Sequence, residues 1–147
     1  MKCVIVPGIL LGSLYSLFGV YCFGVSKQYE WSTLSKCGVE EFRLDQYEFA
    51  SGIIYYFAGL FLLFLSIFVN YDNPPRYIRC TWIAILLINI HFVIFWSVTG
   101  GVLLIMSGDN CQNIAYLPWL TAIIMISVVP AIGLGIPIFI LIKMINE

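Results

Sequence analysis

The chain has 147 residues, of which 61% are hydrophobic and only 10% are charged, and its formal net charge is −1 at pH 7. Globular domains carry about 25% charged residues, and a soluble domain this small could not bury so much apolar surface. The near-neutral charge and the lack of a basic cluster exclude a nucleic-acid-binding protein. The composition therefore predicts a single integral membrane domain, residues 1–147, that lies among membrane lipids.

Four long runs without charged residues divide the chain. Each is longer than the roughly 20 residues that a helix needs to cross about 30 Å of hydrocarbon. None shows the alternation of apolar and polar residues that is typical of a membrane β-barrel. The runs predict an all-α polytopic protein, a bundle of four transmembrane helices at about 4–25, 50–71, 75–106 and 116–142, with outer loops at 26–49 and 107–115.

The first run begins after Lys2 and has about 20 apolar residues, whereas the core of a signal peptide has roughly 7–15. We therefore expect a retained helix. Small residues recur along one of its faces and allow another helix to approach closely. This pattern serves either packing inside the bundle or dimerisation, and its members are Gly8, Gly12, Ser16 and Gly19.

The first outer loop and the middle link differ in character. The outer loop mixes lysines with five carboxylates, which predicts a solvated face: Glu30, Glu40, Glu41, Asp45 and Glu48. The middle link, Asp72-Asn73-Pro74-Pro75, has the residues of a turn followed by a helix start. It predicts that the second and third helices form an antiparallel hairpin.

The third run carries the polar residues of the membrane region. Asn89, Trp96 and Gly100 are spaced by seven and four residues and therefore share a helix face, which is either the bundle interior or a recognition stripe. His91 is the only histidine, so we expect it to hydrogen-bond to a neighbouring helix, with a proton or gating role as the alternative. A metal site needs several convergent ligands. We expect no metal and no cofactor.

The fourth run contains Pro130 and Pro137, with Gly133 and Gly135 close by. Proline removes a backbone donor and crowds the preceding turn. We expect a bend at this place, which is either a hinge or an accommodation to packing.

The lysines and arginines indicate an orientation. The termini and the middle link hold four of them, and the two outer loops hold three. Since positive charge favours the cytoplasmic side, both termini are predicted to be cytoplasmic, in the plasma membrane or an endomembrane.

Four crossings place both outer loops on one side of the membrane, and each loop has one cysteine. If that side is oxidising, Cys37 and Cys111 are predicted to form a disulfide, with Cys22 as the competing partner. Cys3 and Cys80 lie at the opposite edge, where each is either palmitoylated or a free thiol.

Several loop motifs resemble the transmembrane protein 272-like family of small tetraspan membrane proteins. Trp96-Ser-Val-Thr-Gly100-Gly-Val102 is similar to its W-x-x-x-G-x-V motif, and Cys111-Gln-Asn-Ile-Ala-Tyr116 to its C-x-x-x-x-Y. Cys37 and the following Gly52 are similar to the family's first cysteine and next helix. Gly38 replaces the family's proline. The resemblance implies four crossings and a disulfide between the outer loops, but no reaction.

No group of residues in the sequence has the pattern of a catalytic site, so we do not expect an enzyme. The predicted function is that of a non-enzymatic accessory or scaffold subunit, which meets another membrane protein or copies of itself through helix contacts. The alternative is an oligomeric small channel or transporter lined by the third helix, with Asn89 and His91 in the pore. An intramembrane enzyme is the third hypothesis.

Overall fold

The computed structural model describes residues 5–28, 38–39, 42–68, 76–114 and 116–146, and for residues 28, 38–39, 42–43, 68 and 107–114 it describes only the backbone. Its four helices are α1 (Ile5–Gln28), α2 (Leu44–Phe68), α3 (Arg76–Ile114) and α4 (Tyr116–Asn146). The short strands β1 (Gly38–Val39) and β2 (Phe42–Arg43) pair antiparallel just before α2. All four helices are long and apolar enough to cross a membrane. The prediction of an all-α bundle of four membrane-spanning helices is confirmed.

Two helix ends differ from the sequence-based boundaries. The second helix was expected at residue 50 but begins at Leu44, where Asp45 in the first turn favours a helix N-terminus. The third was expected to end at 106 but continues to Ile114. The apolar run marks only the part of a helix that lies in hydrocarbon, and a helix can extend past it through polar residues. The second outer loop is therefore much shorter than 107–115.

The helices pack as two close pairs, α1 with α2 and α3 with α4, and α1 also contacts α4. In contrast, α2 and α3 contact each other little, so the antiparallel hairpin predicted from the Asp72–Pro75 link is not closely packed along its length. The reason is that α2 turns its small residues towards α1. We call the end where α2 stops and α3 starts the link end, and the opposite end the loop end.

The interior contains two groups of buried side chains. The larger lies in the middle and towards the link end and is centred on Leu11, Tyr55, Trp82 and Val93. The smaller lies towards the loop end and contains Cys22, Leu44, Tyr47, Leu103, Ala122 and Met125. Much of the outer surface is apolar as well, as suits helices surrounded by lipid.

Candidate functional sites

The small residues of α1 contact α2. A Cβ atom added at Gly12 would lie 2.9 Å from the Gly59 carbonyl oxygen, and one at Gly19 would lie 2.6 Å from the Tyr56 nitrogen. Gly8 faces the Ser66 side chain. These distances are too short for any side chain, so the two backbones touch directly. The stripe on α1 is used for packing inside the bundle.

A matching stripe on α2 was missed in the sequence. Gly52, Gly59 and Ser66 are spaced by seven residues, and all three are buried against α1. A Cβ atom at Gly59 would lie 2.6 Å from the Gly12 carbonyl oxygen, and it would also meet Ser16. The seven-residue spacing is the signal that could have revealed the α1–α2 contact.

Asn89 links three helices in the interior. Its Oδ1 accepts a hydrogen bond from the Tyr15 hydroxyl at 3.1 Å, and its Nδ2 donates to the Gly133 carbonyl oxygen at 3.0 Å. Gly133 precedes Pro137 by four residues, so the missing N–H of that proline leaves this carbonyl without its helical partner. Asn89 replaces the lost donor. Pro137 is therefore accommodated by packing, as α4 remains helical throughout Tyr116–Asn146.

We expect Asn89→Leu to lower the stability of the bundle by about 1–3 kcal/mol, because both of its partners would be left buried and unpaired. The matched control is Ser97→Ala, since the Ser97 hydroxyl only bonds to the Val93 carbonyl of its own helix. Thermal unfolding in mild detergent measures both. Equal Tm values for the two variants would contradict the role of Asn89 as a link between helices.

Trp96 and Gly100 lie in a second polar cluster, nearer the loop end. The Trp96 Nε1 donates to the Ser51 hydroxyl at 2.7 Å, and the Tyr47 hydroxyl donates to the Trp96 carbonyl oxygen at 2.9 Å. The Tyr47 and Trp96 rings stack at 5.1 Å. Any side chain at Gly100 would collide with the Tyr47 ring. With Asn89, these residues thus face the bundle interior, and Tyr47 and Ser51 are contacts that the sequence did not suggest.

Glu48 was predicted to belong to a solvated face, and for this residue the prediction is wrong; Glu30, Glu40 and Glu41 lie outside the described residues. It belongs to α2, is 0% exposed, and neither of its carboxylate oxygens has a hydrogen-bond partner. Cys22 of α1 and Asp45, one turn earlier, interact with it electrostatically. A carboxylate thus lies inside a predicted membrane-spanning helix, which the sequence-based boundary at residue 50 had placed outside.

His91 points away from the bundle. Its side chain is exposed, and it borders a shallow depression with Leu87, Ile88, Phe92 and Phe95. Its Nδ1 lies 2.8 Å from the Leu87 carbonyl oxygen of the same helix. Among the described residues, the expected hydrogen bond to a neighbouring helix is therefore not formed. Two residues correspond to a rotation of about 200°, so a helix that buries Asn89 must turn His91 outwards.

Most of the cysteines for which the sequence makes predictions lie outside the described residues. Cys3, Cys37 and the side chain of Cys111 lie outside the described residues, so the Cys37–Cys111 disulfide stays a prediction. Cys22, the competing partner, is a buried free thiol, and Cys80 is an exposed free thiol near the start of α3. Within the described ranges, no three His, Cys, Asp or Glu side chains converge in the way a metal centre requires.

A scan against models of protein families, a search of curated proteins and a search of solved structures each return no match to this chain.

Proposed function

We propose that the protein is a non-enzymatic accessory or scaffold subunit that holds a transmembrane helix of another membrane protein against the outward face of α3. The observation that carries this proposal is the position of His91, an exposed polar side chain halfway along the candidate span Arg76–Met106. Ionisable groups facing lipid are costly, and in membrane proteins they generally face protein or water.

The outward face of α3 forms a continuous stripe. Leu87, His91, Ile94, Val98 and Ile105 are all exposed, and their spacing of four, three, four and seven residues places them on one side of the helix. We call this stripe the outer seam. The candidate membrane span of α3 is the least buried of the four, since only 17% of its apolar window is buried inside the bundle. The spacing suits side-by-side contact with a second helix, in which one polar residue fixes the register.

The hydrogen bonding of His91 specifies what the partner must supply. A carbonyl oxygen only accepts, so Nδ1 carries the proton shared with Leu87, and Nε2 of the neutral ring is an acceptor that faces outwards. Other exposed polar groups differ, because the hydroxyls of Thr81 and Ser127 donate to carbonyls of their own helices. A partner helix with a hydroxyl, amide or indole donor would satisfy Nε2.

The same geometry favours a different protein over a second copy. His91 is central in its span, so a two-fold pairing through the outer seam brings two His91 rings together in either helix direction. Two neutral rings of this tautomer would then place their two Nε2 acceptors face to face, with no donor between them.

The channel alternative also loses support, because Asn89 is bonded to Tyr15 and Gly133 inside the bundle. This bonding of Asn89 does not favour a pore lined by both Asn89 and His91.

Two further features belong to this proposal. Both termini lie on the cytoplasmic side of the plasma membrane or an endomembrane, on the basis of the Lys and Arg distribution. The resemblance to the transmembrane protein 272-like family stays a prediction.

Native purification in mild detergent with quantitative mass spectrometry tests the function. We expect a stoichiometric partner membrane protein with the wild type and a loss of about 3- to 30-fold with His91→Leu, which corresponds to one interhelical hydrogen bond. His91→Gln keeps an acceptor and should retain the partner. Ser127→Leu, which removes an exposed but internally bonded hydroxyl, is the matched control. A wild type that purifies only with itself, and conducts ions after reconstitution, would contradict the proposal and favour the channel.

A further inference from the structure

We infer that the groove between α2 and α3 binds one acyl chain of an anionic phospholipid from the leaflet at the link end. The groove exists because these two helices pack little against each other, whereas α1 and α2 touch along their backbones. It adjoins the depression beside His91, because Ile88 and Phe92 border both, but it can be tested on the purified protein without the proposed partner.

Two adjoining cavities make up the groove. The one at the link end has a volume of about 260 Å³ and is bounded by Leu65 on α2 and by Tyr77 and Trp82 on α3. The next has a volume of about 290 Å³ and extends between Ala58 and Phe92. Both open to the side, where the bilayer would lie. Their lining residues follow one another along α3, from its first turn to the middle of its span.

The length of the groove suits a lipid chain. The 15 residues from Tyr77 to Phe92 rise by about 22 Å, which exceeds the roughly 15 Å of hydrocarbon in one leaflet. Two polar side chains of the lining already have partners, because the Thr81 hydroxyl donates to the Tyr77 carbonyl and Asn89 bonds to Tyr15 and Gly133. A hydrocarbon occupant therefore leaves neither of them newly unpaired.

Positive charge at the link end specifies the headgroup. Arg76 is exposed at the first residue of α3, directly before Tyr77 of the groove lining. Arg79 is already engaged, since its guanidinium donates to the Met144 carbonyl oxygen at the end of α4. An arginine can hold a phosphate with two parallel hydrogen bonds. Arg76 is thus placed to bind the headgroup of a lipid whose chain enters the groove.

Lipid titration of the delipidated protein, followed by native mass spectrometry, tests this inference. The probes are phosphatidylglycerol and phosphatidylcholine with the same acyl chains. We expect one tightly retained phosphatidylglycerol per protein, and a preference over phosphatidylcholine that falls about fivefold in Arg76→Gln. Lys143→Gln is the matched control, because Lys143 lies at the same end but on α4, over the Phe139 ring.

Two variants fill the groove. Ala58→Phe blocks its middle, and Ile88→Trp narrows it from an exposed position that leaves the packing of the bundle unchanged. Both should abolish tight retention, whereas Ala131→Phe on the exposed side of α4 should not. Retention in Ile88→Trp equal to that in Ala131→Phe would overturn the chain site. Equal binding of the two lipids to the wild type would overturn the headgroup assignment.

Discussion

Gly59→Ala should lower the stability of the bundle by about 3 kcal/mol, the size expected when a methyl group is forced into a closely packed interior. The added carbon would lie 2.5 Å from the Ser16 nitrogen and 2.6 Å from the Gly12 carbonyl oxygen. Both are backbone atoms of α1, so no rotamer change can relieve the collision. The helices would have to separate along their whole contact.

Thermal unfolding in mild detergent measures this effect, and a fall in Tm of roughly 6–12 °C is expected for a domain of this size. Gly24→Ala and Gly135→Ala are matched controls, since an added Cβ atom meets nothing within 4 Å at either position. Alanine also favours a helix over glycine, so both controls should be neutral or slightly stabilising. A Gly59→Ala protein as stable as these controls would refute the α1–α2 contact.

The close contact between α1 and α2 also changes how glycine substitutions on α1 are interpreted. The sequence suggested that small residues such as Gly8 and Gly12 could mediate assembly with a partner. In the structure they face Ser66, Gly59 and Leu63 of α2, so larger residues there should disrupt the bundle itself. Effects on a partner are expected from the outer seam instead.

Glu48→Gln should raise the stability of the protein. A carboxyl group without a partner is expensive to bury, because it must either lose its hydration as an ion or hold a proton that it would release in water at neutral pH. Glu48 is 0% exposed, and both of its oxygens are unpaired. Glutamine keeps the shape and cannot ionise, so it removes this cost together with any repulsion from Asp45. We expect a gain of about 1–3 kcal/mol at neutral pH, seen as a higher Tm.

Glu48→Asp is the matched comparison, because it keeps the carboxyl group and shortens the side chain. It should be no more stable than the wild type. A Tm that falls by several degrees in Glu48→Gln would mean that the carboxylate has an ionic partner in the membrane, and would refute the description of Glu48 as unpaired.

The sequence was sufficient for the number and type of the helices, because a long uncharged run can satisfy its backbone in lipid only as a helix. It was not sufficient for the helix ends. Glu48 and Asp45 were assigned to a loop by their charge, although α2 begins at Leu44. Hydrophobicity reports where the chain meets hydrocarbon, and helix boundaries depend on local backbone partners as well.

Side-chain directions depended on contacts that are distant in the sequence. The stripe on α1 could be recognised from four-residue spacing, but its partner stripe of Gly52, Gly59 and Ser66 became meaningful only when the two helices were seen together. Similarly, Asn89 and Pro137 are both visible in the sequence. Only the packing of α3 against α4 shows that the Asn89 side chain replaces the N–H donor that Pro137 lacks.

The proposed docking of a partner on the outer seam is tested most directly by photocrosslinking in native membranes. A photoreactive residue at Ile94 or Val98 should crosslink to a single transmembrane segment of a different protein, with a donor side chain opposite His91. The yield of the product should fall about 3- to 30-fold in His91→Leu and be retained in His91→Gln. Leu17 of α1, which is 70% exposed on another side of the bundle, should crosslink to lipid alone. Products at Ile94 and Val98 that match those at Leu17, or that contain only second copies of this chain, would contradict the proposal.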